Sequence, residues 1–322
     1  MRIKQKHCII VVLFLTPSLI IWAHFYVYSK KNELAHDTTN SSLVESRFQD
    51  EKKDIQVGSK QDTGINNIEK FQETKTNEFS DSFNYQEVIE ETGRGEESGN
   101  ANWWLNSGAY VYVDKGIAKT IQGPLENRSK WQIDYLNYNS DETDGGYHPQ
   151  NIFRFVTRSK WKNFQQECYF KINHLNLSKD KNRGESNGIL LFNRYRDGEN
   201  LYYTGIRVDG FAVIKKKIKG EYFTMAYNRI YPGQYNRKKK PNLLPHNAWI
   251  GLRSEVKNEV NGMVSIKVFI DRKRDGNWQL ITEAKDNGKS YGGKAFMDEG
   301  YAGIRTDFMD IEFDDYKIEE LK

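Results

Sequence analysis

The chain opens on an unbroken apolar run, passes through a stretch with no hydrophobic period, and ends in short segments where apolar and polar residues alternate. The run from Cys8 to Tyr28, CIIVVLFLTPSLIIWAHFYVY, carries no formal charge. At 1.5 Å per residue its roughly 21 residues reach about 31 Å, close to the hydrocarbon thickness of a bilayer. Arg2, Lys4 and Lys6 precede it, and the positive-inside rule predicts a cytoplasmic N-terminus with the rest of the chain outside. Lys30 and Lys31 oppose that orientation more weakly. A cleaved signal peptide is the rival reading, but a cut after Ala23 leaves the bulky Ile21 where a small residue is required. Residues 1–28 are therefore read as a transmembrane signal-anchor, which places the remainder outside the cytoplasm on a single-pass membrane protein.

Residues 29–100 are rich in Asn, Asp, Glu, Lys, Ser and Thr, and their apolar residues follow no period. Such a segment buries too little surface to offset the entropy of ordering it, so a disordered tether is expected. Its root-mean-square span is on the order of 45 Å. It holds 16 acids against nine bases, whereas residues 101–322 hold 36 bases against 28 acids. An acidic linker and a basic domain are thus averaged in the net charge of +4.

From Trp103 onward, twelve strand-like runs recur: 109–113, 151–157, 164–172, 188–195, 201–208, 211–218, 222–227, 248–256, 263–271, 278–283, 301–306 and 310–318. Asp197-Gly198, Asp209-Gly210, Asn261-Gly262, Asp275-Gly276 and Asn287-Gly288 punctuate them as turns. Many short strands without a helical period predict an all-β fold, a two-sheet antiparallel sandwich over residues 101–322. A two-residue turn at Asp209-Gly210 would set Val208 opposite Phe211 and Ile206 opposite Val213. Tyr203, Arg207, Ala212 and Lys216 would then share the other face. Aromatics at 13% suit such a core. Cys168, alternating with Phe164, Phe170 and Ile172, reads as a buried free thiol.

Several of these runs carry a resemblance. GILLFNRYRDGENLYY (188–203), NAWIGLRSEV (247–256), the 264–271 strand, GYAGIRT (300–306) and DIEFDDYKI (310–318) together resemble the concanavalin A-like lectin/glucanase superfamily, in particular its laminin-G-like jelly rolls. The resemblance implies two curved sheets, with ligands on the concave one or in the loops at its rim.

Three classes of function then compete. A binding module needs exposed rings and hydrogen-bonding groups, and Trp103, Trp104, Trp131 and Trp161 cluster early in the domain. The polar loop 139–151 adds Tyr147 and His148. A polysaccharide lyase needs a group to neutralise a uronate and a Tyr or His to move the proton; Asn193, Tyr203, Arg207 and His148 are its candidates. A glycoside hydrolase needs two carboxylates across the sugar. Asp310, Glu312 and Asp314 alternate at about 6.7 Å along one strand, but Ile311 and Phe313 between them look like core.

The reading favoured is carbohydrate binding by a surface glycan or polysaccharide receptor, with Tyr195, Tyr203, Arg207, Arg194, Tyr147 and His148 as ligand contacts. A structural calcium at Asp314 and Asp315, as in similar jelly rolls, is the one cofactor suggested. Nucleic acid is not an expected partner, because the Lys215–Lys217 run lies in a strand and its charges alternate faces. A structural or adhesive role without sugar binding is the remaining alternative.

Overall fold

The computed structural model describes residues 77–322. The signal-anchor expected at 1–28 and most of the expected linker lie outside the described residues, among which no helix is long and apolar enough to cross a membrane.

In chain order the strands begin with β1 (Glu78–Asp81), β2 (Glu87–Glu90), β3 (Trp103–Ser107), β4 (Tyr110–Asp114) and β5 (Ile117–Lys119). Helix α1 (Lys130–Tyr138) follows, then β6 (Phe153–Trp161), β7 (Phe164–Leu175), β8 (Gly188–Asp197) and β9 (Asn200–Arg207). Next come β10 (Phe211–Ile218), β11 (Glu221–Arg229), β12 (Trp249–Asn258) and β13 (Val264–Asp271). The last three are β14 (Gln279–Asp286), β15 (Gly300–Thr306) and β16 (Met309–Glu320).

These strands form a two-sheet antiparallel sandwich. One sheet runs β14-β13-β12-β7-β16-β5-β4-β2, with β1 also paired to β16; the other runs β11-β10-β9-β8-β15-β6-β3. The inner faces meet in one core. Trp103 stacks on Phe155 with ring centroids 4.3 Å apart and meets Tyr316 edge-on at 4.7 Å. Burying each such ring contributes about 1.5–3 kcal/mol. Cys168 is a buried free cysteine within that core, and burial pushes its thiol well up.

All twelve expected runs are strands. The sandwich also takes in residues ahead of position 101. Phe79 of β1 faces Ile318 of β16, and Val88 of β2 faces Tyr112 of β4. EFSD and EVIE offer only one or two apolar positions each among acids, too few for a period. This moves the charge as well. Residues 77–100 hold seven acids and one base, leaving nine acids and eight bases in 29–76. The acidic excess assigned to the tether therefore belongs to the folded body. With it the body carries 37 bases and 35 acids, so it is nearly balanced.

The hairpin β9–β10 differs from its expected register by one residue. Ile206 faces Ala212 and Tyr203 faces Lys215. Three residues, Val208, Asp209 and Gly210, make the turn; Gly210 sits at φ +82° and its N–H bonds Arg207 O at 2.9 Å. A three-residue loop closing on a left-handed glycine is a common hairpin form. Because the side-chain period is two, the slip exchanges faces. Ala212 and Lys216 turn inward, and Val213, Lys215 and Lys217 join Tyr203.

Candidate functional site

The seven-stranded sheet has two unlike faces. Ile189, Leu191, Tyr202, Ile206, Ala212 and Ile214 point into the core. Their strand neighbours Leu190, Phe192, Leu201, Tyr203 and Val213 form a second apolar cluster with Trp104, Val156 and Tyr195 on the sheet's other side, against which Tyr222 and Tyr301 pack. The pleat of β3, β6, β8, β9, β10, β11 and β15 thus builds an outer face of aromatic and aliphatic side chains.

Cations stand on those rings. Arg305 lies over Tyr203 at 5.5 Å, Lys217 over Tyr222 at 4.8 Å and Lys160 over Tyr301 at 5.1 Å. Tyr203 and Tyr222 meet edge-on at 5.9 Å, as do Trp104 and Tyr301. Arg305 donates to Asp307 at 3.1 Å and to the Tyr222 hydroxyl at 3.3 Å. Burial is the largest influence on its guanidinium and opposes the charge, but Asp307, Tyr222 and Tyr203 together hold its pKa well above the ordinary value. Burial, then Tyr222, pushes the Tyr203 phenol far up, against the pull of Arg305 and Arg207. A general base titrates near the working pH, and the upward shift moves this phenol away from that condition.

Gly303, in the middle of this face, has φ +144°, and a Cβ there would stand 2.3 Å from Phe155 O. The backbone at that point is open only to glycine.

Of the residues expected from sequence, Tyr195 and Tyr203 are on this face. Arg207 is at its end, tied to Asp209 at 2.9 Å and to Glu185 O at 3.0 Å, with its guanidinium over Tyr227. Asn193 and Arg194 are not on it. Asn193 points inward by alternation with Ile189 and Leu191, and β8 bulges between Asn193 and Asp197, with Arg194 at φ +52°, so Arg194 also turns inward and Tyr195 turns out. Asn193 accepts from Gln166 and Ser254 and donates to Thr204 between the sheets. Arg194 is fully buried, donating to Lys162 O, Asn258 Oδ1 and Phe296 O, and burial pulls its pKa down to about 10. The lyase set Asn193, Tyr203 and Arg207 therefore does not converge.

Tyr147 and His148 belong to the connection between α1 and β6, where Tyr147 donates to Asn127 and His148 Nδ1 lies 3.4 Å from Gln150. They are not among the residues of the sheet face. Of the four tryptophans expected as platforms, Trp103 and Trp161 are core, Lys130 stacks on Trp131, and Trp104 alone reaches this face.

The acids of β16 are each engaged. Asp310, nearly inaccessible, accepts from Gly123 N at 2.7 Å and from Gln150 and Asn176 at 2.9 Å each. Glu312 pairs with Lys171. Asp314 and Asp315 both accept from Arg274, which lies over Tyr169 and Trp249. A calcium ion at that pair would have to displace a stacked guanidinium, and no cluster of three or more metal-ligating side chains occurs among the described residues.

Arg154, Arg305, Tyr222 and Tyr301 were missed by sequence reasoning. For the arginines the signal available was FRF (153–155) and IRT (304–306), each with one arginine between two inward residues.

No protein-family model matches the chain, and no curated protein matches it. Among solved structures it is similar to carbohydrate binding module CBM66 from Bacillus subtilis, at 16% identity over 53% of this chain and 83% of that one, TM-score 0.37. It is also similar to the GH43 BlXynB protein from Bacillus licheniformis (12% identity, 77% of this chain, 40% of that one, TM-score 0.40). Alginate lyase Aly36B matches at 9% identity over 76% of this chain and 98% of that one, TM-score 0.36. At such identities and scores nothing about this chain's chemistry follows from them.

Proposed function

We propose that this protein is a carbohydrate-binding module whose ligand lies on the outer face of the seven-stranded sheet. The observation that carries the reading is that face itself, where Trp104, Tyr203, Tyr222 and Tyr301 stand together with cations seated on three of the rings. Tyr222 and Tyr301 keep partly exposed rings that can take the apolar face of a sugar, with Trp104 and Tyr203 buried beneath them as support. Arg, Lys and phenol groups donate to hydroxyl and carboxylate oxygens. The arrangement favours holding a sugar over cleaving it. Tyr203 stays protonated, and each carboxylate of the acidic strand already serves a donor of the fold.

The sandwich is further read as a concanavalin A-like jelly roll carried outside the cytoplasm on an N-terminal membrane anchor. The charge-free run from Cys8 to Tyr28 supports the anchor. Retention in the membrane pellet after alkaline carbonate extraction tests it.

The function is tested by a glycan array probed with the full chain, with calcium and without. Selective binding that is lost in Tyr222→Ala and Tyr301→Ala is the expected result. Absence of binding to every neutral and acidic glycan would sink the reading. Unsaturated product released from a uronic-acid polymer would replace it with a lyase.

A further inference from the structure

The strands place two arginines directly opposite one another on the proposed sugar-binding face. Arg154 of β6 and Arg305 of β15 are Cα partners in the antiparallel register. Their neighbours Phe153, Phe155, Ile304 and Thr306 are fully buried on the core side, so both arginines project to the other face. Directly opposed residues have Cβ atoms about 5 Å apart, and like charges so placed are destabilising. Arg305 is compensated by Asp307. Arg154 has no ion pair among the described residues. The strand positions that share this face supply further cations, Lys160, Lys215 and Lys217, while the acids beside it, Asp307 and Asp209, follow the strand ends and are paired with Arg305 and Arg207. Since the body as a whole is nearly balanced in charge, this is a local concentration and not a reflection of a basic protein.

We propose that Arg154 and Arg305 form an anion clamp, so that the ligand is a polysaccharide bearing carboxylate or sulfate groups. The inference rests on the sugar-binding reading of this face and adds the class of sugar. A planar guanidinium presents a fixed fork of donors that matches such an oxyanion with two parallel hydrogen bonds. Two forks on adjacent strands bracket one anionic group, relieving the repulsion between them. Tyr203, buried under Arg305, supports that guanidinium from below. Trp104, buried on the strand next to Arg154, packs edge-on against Tyr301, whose partly exposed ring offers an apolar surface beside the anion.

The test titrates the full chain with a polyuronate, a sulfated glycan, a neutral glucan of matched length and single-stranded DNA, each at two salt concentrations. The expected result is that the polyuronate or the sulfated glycan binds at least about tenfold more tightly than the glucan and weakens with salt. The arm that binds more tightly identifies the anion. Arg154→Gln is expected to cost about tenfold in that affinity with a melting temperature unchanged or raised, since the Arg154 side chain has no hydrogen bond or ion pair among the described residues and its charge opposes that of Arg305. Arg154→Lys, which keeps the charge and loses the fork, should recover part of it.

Equal, salt-independent binding of glucan and anionic glycan overturns the clamp and leaves sugar binding standing. Failure to bind any glycan overturns both. DNA bound as tightly as the anionic glycan overturns the assignment to polysaccharide, and an Arg154→Gln variant with unchanged affinity overturns the placement.

Discussion

The Nζ of Lys216 lies 2.8 Å from an oxygen of Asp286, and neither side chain has accessible surface. The ammonium also donates to Gly293 O at 2.8 Å and Lys294 O at 2.7 Å, and the Tyr202 hydroxyl donates to Asp286 at 2.5 Å. The pair joins β10 to the last residue of β14, tying one sheet to the edge strand of the other. Each buried charge is held by its partner and by further hydrogen bonds, the condition under which a buried ion pair is tolerated.

Removing one partner leaves the other charge uncompensated. Lys216→Met is expected to lower unfolding free energy by about 3–5 kcal/mol. The double variant Lys216→Met with Asp286→Leu should cost clearly less than the sum of the single changes. Urea titration of the three variants reads this; strict additivity would show that the two groups do not act as a pair.

Arg194 is a structural residue in this fold, so its loss should be felt as instability. Arg194→Met removes donors from Lys162 O, Asn258 Oδ1 and Phe296 O in the interior. A loss on the order of 3 kcal/mol is expected, with sugar affinity of the folded fraction unchanged. An affinity loss at full folding would return Arg194 to the binding face.

Gly303→Ala places a methyl group 2.3 Å from Phe155 O and 2.6 Å from Val156 Cα, at φ +144°. The strand must shift or the pairing with β6 must open. A destabilisation of at least about 2 kcal/mol is expected, together with weaker sugar binding, because Arg154 and Arg305 flank this contact. Wild-type stability in the alanine variant would contradict the geometry.

His148 gives a pH signature. Burial, the largest influence, lowers its pKa from 6.5, and His174 adds to this while Asp144 and Asp310 oppose it. Below pH 6.5 the unfolded chain takes up a proton that the folded protein resists. Stability therefore falls as pH is lowered from 6.5 to the depressed value of the folded state. His148→Gln should flatten that part of the profile, and an imidazole midpoint at or above 6.5 by NMR titration would count against it.

Much of the fold was legible in the alternation. Inward positions such as Phe164, Cys168, Phe170 and Ile172 announce β7 because one face of a strand must be apolar when only that face is buried. β1, β2, β3, β5 and α1 were not legible; WWLNS of β3 sets its apolar residues in a row and not in alternation. Strands of three or four residues hold too few periods, and α1 buries little beyond Gln132 and Tyr135, so its pattern is polar nearly all round. Tyr195 and Tyr203 were identified as ligand contacts and stand on the proposed face, while Asn193 alternates inward with Ile189 and Leu191, and Arg194 was misassigned for a local reason. A bulge consumes one residue and inverts every face assignment beyond it, and nothing in NRYR marks it.

By itself the sequence determined that residues beyond 101 alternate as strands, that one apolar run is long enough to span a bilayer, and that the body is rich in rings and cations. These are properties of neighbours along the chain, and periodicity and composition report them directly. Only the tertiary structure decided which strands lie side by side, and with that which charges meet. Lys215 and Lys216 are adjacent in sequence, yet one joins the outer face and the other is buried against Asp286. Arg154 and Arg305 stand about 150 positions apart and become partners because β6 and β15 pair in one register. Pairing and register depend on contacts far apart in the chain, and no local pattern encodes them.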